Sequence, residues 1–352
     1  MNESISVSIV VPIFNALKYI GPFLDSIRKL NFPKSKFETI IVDNGSEDKS
    51  LEFIEKNYPE VILIKANKNL GFAEGCNVGV RKARGKYVSI QNIDVIVDKD
   101  WIRELFDFME DNPKHGLVGQ RMIDSNKEGK YEFGGYDVPT LMQFHVKAKE
   151  IDKDTTKPFE LFGTAAPFYR RELVDVPFDP DYFMYGEDTY FTWLTLLRGY
   201  RTAVIPKSFF YHVGSTTVKS MDKDFFFTYM GERNRLLNFF IFFELKTIIK
   251  LIPMLFITIT IYNLFDIRNA LPRLKSYLWI ISNYKTVSRK RKHIQSKREV
   301  SDLKITRFMS SKLFDESLSE DKTTKRLIKL FNKLSNLYCR LMNIKTREFY
   351  NA

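Results

Sequence analysis

From Val7 to Gln91 the chain alternates short apolar runs with segments of helical period, and few folds accept that order. Val7–Ile13 is an apolar run suited to a strand covered on both faces. Lys18–Leu30 sets Ile20, Phe23, Leu24, Ile27 and Leu30 at helical spacing, and Asn31-Phe32-Pro33 ends it. Thr39–Val42 reads as a second buried strand, closed by Asp43-Asn44-Gly45-Ser46. Ser46 is placed to cap a helix running to about Asn57. A third strand over Val61–Ile64, a loop over Asn67–Gly71, a helix over Phe72–Ala83 and a fourth strand over Tyr87–Gln91 follow. A β-α-β-α order of this kind implies an α/β fold, a largely parallel sheet with helices on both faces.

From about Met122 the pattern changes. Lys130 to Pro139 is rich in glycine and aromatics and reads as a hairpin or irregular excursion. Asp188–Leu197 is helical, Gly199 ends it, and Thr202–Ile205 is a short strand. Beyond Lys219–Asp224 the character shifts again: Phe225–Phe243 is strongly aromatic and Leu251–Phe265 carries no charge. Leu327, Leu330, Leu334, Leu337 and Leu341 recur among lysines and arginines, marking an amphipathic basic helix for a membrane surface or a partner helix. The expected organisation is one domain over 1–222, with halves at about 1–121 and 122–222, and a helical region over 223–352.

Composition separates the partners. A net charge of +12 invites nucleic acid, an anionic membrane surface or a phosphorylated ligand. The charge is mixed in the first half, but Lys285, Arg289, Lys290, Arg291, Lys292, Lys297 and Arg298 follow the most apolar stretch with no acid between them. That is the pattern of a polybasic membrane anchor, with a solvated tail as the alternative that basicity alone leaves open. No nucleic-acid partner is expected: a basic nucleic-acid binder is the disfavoured alternative, because the charge lies beside apolar helix and is not interleaved with exposed aromatics on a sheet. Cys76 and Cys339 are too few and too far apart for a disulfide framework. The start, Met1 through Glu3 into Val7, lacks the basic n-region of a signal peptide, so a cytoplasmic location is expected.

In open α/β sheets ligands bind beyond the carboxyl ends of the strands, where strand order reverses. The first strand delivers Pro12, Phe14 and Asn15 there. The second delivers Asp43, whose carboxylate suits the N3–H of a pyrimidine base, although an aspartate at a strand end also turns the chain. The third loop offers Asn67, Asn69 and Gly71, where glycine permits close backbone approach. The fourth strand ends in Asn92-Ile93-Asp94. A Rossmann dinucleotide site would need a glycine-rich loop after the first strand, and Phe14-Asn15-Ala16-Leu17 supplies none.

Taken in order, Val7–Asn15, Ile41–Ser46, Asn69–Ala73, Asn77-Val78-Gly79, Asn92-Ile93-Asp94, Tyr182–Asp188 and Tyr211-His212 resemble family 2 glycosyltransferases of the GT-A fold, above all the rhamnosyl- and galactofuranosyltransferase-like branch. The resemblance implies inverting transfer of a sugar from a UDP- or dTDP-linked donor to a hydroxyl of a glycan or glycolipid acceptor, lipid-linked or destined for the cell surface. It implies Asp43 at the base and Asp94 at an Mg²⁺ or Mn²⁺ ion, with His212 completing the metal site. The family's Asp-x-Asp signature is here Asn92-Ile93-Asp94, and a single carboxylate serves an ion that also takes waters and substrate phosphates. Asp188 is implied as the base that deprotonates the acceptor, and Glu187 as its orienting neighbour or an acceptor contact. Gly163 and Thr164 stand where the family lines the acceptor pocket, and Arg170 and Arg171 follow there, with mere solvation as the alternative. The lost first aspartate also suits a non-catalytic scaffold that only binds the nucleotide sugar.

Spanning a bilayer takes about 20 apolar residues. Leu251–Phe265 falls short, with Pro253 near its start and Lys250, Lys246 and Glu244 just before it. A single crossing would also separate a cytoplasmic catalytic part from the basic run Arg289–Lys292, against the positive-inside tendency. An interfacial, monotopic or peripheral association with the cytoplasmic face is therefore expected.

Overall fold

The structure is a computed structural model, and it describes residues 4–124, 133–134, 137–147, 155–162, 166–213, 223–316 and 321–350. The chain divides into two units. The first comprises 1–135, 151–195 and 200–220, and the second 136–150, 196–199 and 221–352.

In the first unit the expected apolar runs become β1 (Val7–Ile13), β2 (Phe37–Asp43), β3 (Ile62–Lys65) and β4 (Tyr87–Ile90). The helices between them are α1 (Leu17–Arg28), α2 (Ser50–Asn57) and α3 (Gly71–Lys82). Pairing is parallel throughout, in the order β3-β2-β1-β4, so the strand order reverses at β1. Alternate residues of β1 face opposite sides of the sheet. Ile9 and Val11 join Ile20 and Phe23 of α1 in one core. Val10 faces α3, where Gly79 comes so close that a Cβ there would stand 2.4 Å from the Val10 side chain.

The sheet continues with β5 (Val95–Val97), β6 (His115–Asp124), β7 (Phe133–Gly134), β10 (Phe168–Arg170) and β11 (Arg201–His212), in the order β4-β10-β6-β11-β5, with β7 on β6. The intervening β8 (Asp137–Pro139) and β9 (His145–Lys147) pair only with each other and belong to the second unit. β10 and β5 run antiparallel to their neighbours, whereas β6 and β11 are parallel, so the sheet is mixed but mainly parallel. Helix α4 (Trp101–Asp111) buries Trp101, Ile102, Leu105 and Met109, and α5 (Glu187–Leu197) follows the loop after Tyr182.

Two local expectations are corrected. Helix α2 begins at Ser50, with Asp48 Oδ1 accepting the Ser50 N–H, and Ser46 instead accepts the Asn15 N–H. Arg170 is not a solvated residue. It is buried, donating to the carbonyls of His115 and Met109 and to the Tyr87 hydroxyl. The hairpin expected over Lys130–Pro139 lies partly outside the described residues.

The second unit is helical: α6 (Lys223–Phe242), α7 (Leu245–Phe265), α8 (Ala270–Ser282), α9 (Tyr284–Ser296), α10 (Asp302–Thr306), α11 (Lys322–Leu341) and α12 (Arg347–Tyr350). Helix α6 packs on α8 and α9 and holds a buried Glu232–Arg235 ion pair. Among the described residues α7 is the one helix long and apolar enough to cross a membrane, which by itself is weak evidence that it does.

Candidate active site

The carboxyl ends of β1 and β2 are fastened to each other. Ile13 and Asp43 are register partners, and the Asn44 N–H donates to the Ile13 carbonyl. Asn15, at φ +49°, accepts the Glu47 N–H through its side chain, while its own N–H donates to the Ser46 hydroxyl. The buried Asp43 carboxylate accepts the N–H groups of Gly45 and Ser46. Asp43 thus turns the chain here, at the same strand end where the sequence places a base contact. Phe14 stands 40% exposed beside it. Pro12 is register partner of Val42, one step inside the strand ends.

The Asn69–Ala73 and Tyr182–Asp188 motifs meet. Asn69 Oδ1 accepts the Gly71 N–H at 2.8 Å, and the Ala73 N–H donates to the Phe183 carbonyl at 3.1 Å. Gly71 has φ +78°, and a Cβ there would lie 2.5 Å from the Phe183 ring and 2.6 Å from its carbonyl oxygen. The close approach expected at Gly71 is therefore made by Phe183. Phe183, Tyr185 and Gly186 all have positive φ, at 57°, 69° and 80°. Non-glycine residues rarely adopt that conformation, and such strain concentrates at functional sites. Asn77, deeper in α3, braces the same region by pairing with the backbone of Phe178 in both directions.

This loop delivers Glu187 and Asp188 at the start of α5. Asp188 Oδ1 accepts the Thr189 N–H at 2.6 Å. Glu187 Oε2 is buried with no hydrogen-bond partner among the described residues. Burial first, and the neighbouring Asp188 charge second, raise the Glu187 carboxyl well above its ordinary range. Cys76 lies within its electrostatic reach and is itself fully buried, its thiol pushed up by desolvation.

Asp94 and His212, far apart in sequence, come together. β5 pairs with β11 so that Val95 is register partner of His212, and the Val213 N–H donates to the Asp94 carbonyl. Asp94 Oδ2 and His212 Nε2 are 3.4 Å apart, both largely shielded from solvent. No third His, Cys, Asp or Glu joins them among the described residues. Asn92 lies half-buried just before, its N–H donating to the Gln91 side chain. The expected acceptor residues Gly163 and Thr164 lie outside the described residues. The sequence gives no sign of Phe183 or Tyr185 as strained positions; only Gly186 marks that turn.

A mixed, mainly parallel sheet flanked by helices, with its loops gathered at the strand ends, defines a GT-A-like fold. Residues 8–175 match the model of glycosyl transferase family 2. Poly(ribitol-phosphate) beta-N-acetylglucosaminyltransferase TarS of Staphylococcus aureus is 28% identical over 214 residues, 58% of this chain and 35% of TarS. Glycosyltransferase GlyG of Streptococcus pneumoniae serotype 4 is 30% identical over 131 residues, 36% of this chain and 42% of GlyG. The match to TarS thus spans only 35% of that relative's length. Among solved structures, S. aureus TarS 1-349 is similar at TM-score 0.51 and 18% identity, covering 99% of this chain and 91% of that one. GalNAc-T7, solved with UDP, GalNAc and Mn²⁺, reaches TM-score 0.53 at 14% identity over 67% of this chain and 47% of its own. At these identities the likeness to solved structures is one of fold.

Proposed function

We propose that the chain is an inverting glycosyltransferase that moves a hexosyl or deoxyhexosyl group from a uridine or thymidine diphosphate sugar to a hydroxyl of a lipid-linked or cell-surface glycan. The observation that carries this reading is the meeting of Asp94 with His212 at the strand ends. Neighbouring ligands of one octahedral divalent ion lie roughly 3 Å apart, given bonds of about 2.1 Å. A carboxylate and a neutral imidazole at this separation fit Mg²⁺ or Mn²⁺, and the absence of a third protein ligand among the described residues leaves places for donor phosphates and water. An ion held there supplies positive charge against the departing diphosphate.

The remaining work falls to the chain's own groups. Phe14, Asn15 and Asp43 hold the base end of the donor, with Asn69 and Asn92 at its flank. Asp188 takes the acceptor hydroxyl proton as that oxygen bonds to the anomeric carbon and the carbon–phosphate oxygen bond breaks. Glu187, its carboxyl raised by burial and by the neighbouring Asp188 charge, orients the acceptor against it. TarS has been solved in complex with UDP, which supports a UDP-linked donor. The sequence motifs favour rhamnosyl or galactofuranosyl transfer, and the name of TarS favours N-acetylglucosaminyl transfer. Because nucleotide sugars are cytoplasmic, the proposed site of the reaction is the cytoplasmic face of the cell membrane.

The test is a panel of nucleotide sugars incubated with the full chain and Mg²⁺ or Mn²⁺, with nucleotide release measured. One donor should be consumed, and excess EDTA should stop it. Binding of a donor with no turnover toward any acceptor would favour a non-catalytic scaffold, and neither binding nor turnover would overturn the reading.

A further inference from the structure

Two helices of the second unit face the wrong way for a soluble protein. On α11, Leu327, Leu330, Leu334, Leu337 and Leu341 point outward at 42–75% exposure, while Ile328, Asn332, Ser335 and Cys339 are buried. The inward polar groups are all engaged in fixing that orientation. Asn332 accepts the N–H groups of Leu313 and Phe314 and donates to the Phe314 carbonyl, and the Ser335 hydroxyl donates to Ser311. Rolling the leucines inward would orphan these buried groups, at about 1–3 kcal/mol each.

Helix α8 repeats the inversion. Leu271, Leu274, Leu278 and Ile281 are 50–67% exposed, whereas Arg273 and Ser276 are buried. Arg273 pairs with Asp266 and the Tyr262 carbonyl, and Ser276 donates to the Tyr229 carbonyl. Helix α7 exposes Leu245, Ile249, Ile252 and Phe256. It is not a lone rod. Lys250 donates to the Met342 carbonyl and accepts, through its own carbonyl, the Tyr338 hydroxyl of α11. A lysine bonded in this way sits in the first turns of α7 and shortens its usable apolar length.

Charge selects the occupant. Helix α11 carries Lys322, Lys325, Arg326, Lys329, Lys333 and Arg340 and no acid. At about 100° per residue these cations line one border of the leucine stripe. A second copy would bring the same cations together, which is unfavourable for like charges. An anionic surface with an apolar layer beneath it satisfies both the cations and the leucines. We propose that the outward faces of α7, α8 and α11 dock in the interfacial layer of an anionic lipid leaflet, as helices lying in the plane and not as a span.

The experiment is flotation of the full chain with vesicles of phosphatidylcholine alone or mixed with phosphatidylglycerol. Wild type should float with the anionic vesicles and only weakly with the neutral ones. A variant carrying Leu330→Ser, Leu334→Ser and Leu337→Ser, all at exposed positions, should keep its circular dichroism and its melting temperature. Its partition into anionic vesicles should fall roughly tenfold or more. Lys329→Gln with Lys333→Gln should weaken anionic binding and leave neutral binding unchanged. Failure of wild type to float, or undiminished flotation of the leucine variant, would overturn the proposal. So would a wild-type dimer in light scattering that the leucine variant converts to monomer, because the face would then be a subunit contact. Protection of α7 from added protease on both sides of sealed vesicles would show a span instead.

Discussion

Gly71→Ala is the perturbation for which the structure specifies most. The residue has φ +78°, where alanine is disfavoured by about 1–2 kcal/mol. The new Cβ would stand 2.5 Å from the Phe183 ring and 2.6 Å from the Phe183 carbonyl oxygen. A ring can rotate away, but the carbonyl is backbone and accepts the Ala73 N–H, so the loop itself has to move. Overpacking of this kind adds roughly 1–3 kcal/mol. The total, about 2–5 kcal/mol, should lower the melting temperature of the first unit by on the order of 10 °C. The displaced loop carries Glu187 and Asp188, and a shift of about 1 Å at reacting groups can lower a rate roughly 10²-fold. Calorimetry and single-turnover kinetics should therefore show a large fall in kcat with donor affinity little changed. Gly21→Ala is the control: its Cβ would meet Phe53 and Tyr58 at 3.8 Å, an ordinary contact, and a helical glycine replaced by alanine gains about 0.5–1 kcal/mol. A Gly71→Ala protein that melts with wild type would refute the packing argument. One that keeps its kcat and loses donor binding would return Gly71 to the donor site.

Asp188→Asn keeps the shape and removes the proton acceptor, so transfer should fall by roughly 10²–10⁴-fold while nucleotide-sugar affinity, read by calorimetry, holds. Glu187 has its carboxyl raised in the folded state, so as pH climbs through the ordinary carboxylate range the unfolded chain releases that proton first, and stability falls until the folded group also ionises. Glu187→Gln should flatten that decline, with a melting temperature above wild type at alkaline pH; identical pH profiles would refute the burial argument. Arg170→Met should destabilise by roughly 2 kcal/mol or more in urea, since it removes the guanidinium donors from the Met109 and His115 carbonyls, while the Tyr87 hydroxyl keeps its bond to Glu110; a loss under about 1 kcal/mol would mean water replaces the guanidinium there.

The parallel half of the sheet was legible because β1 to β4 are apolar runs separated by helices of clear period. The second half was legible only in pieces, for physical reasons. β5 and β10 are three residues each, below the length at which alternation means anything. β11 reads as ending at Ile205 because Pro206-Lys207 follows, yet a register shift between Ile205 and Phe209 carries the strand on to His212. That bulge is what brings His212 to Asp94. Helix α4 did carry a period in Trp101, Ile102, Leu105 and Met109, so its signal was present in the sequence. Ser46 and Asp48 compete as caps, and only the Asn15 contact shows why Ser46 is otherwise occupied. The site residues came through order and resemblance, whereas the strain at Phe183 and Tyr185 has no sequence signature. Periodicity found the leucine stripe of α11 and cannot say which way a stripe faces.

The proposed cation shared between Asp94, His212 and the donor diphosphate is measured directly by calorimetric titration of UDP into the full chain. With Mn²⁺ or Mg²⁺ present, wild type should bind, and EDTA should weaken binding by roughly tenfold or more, because the positive charge facing the diphosphate is removed. Asp94→Ala and His212→Ala should bind as wild type does in EDTA. Equal affinity for UDP with and without the cation, or Asp94→Ala binding as tightly as wild type, would contradict the assignment.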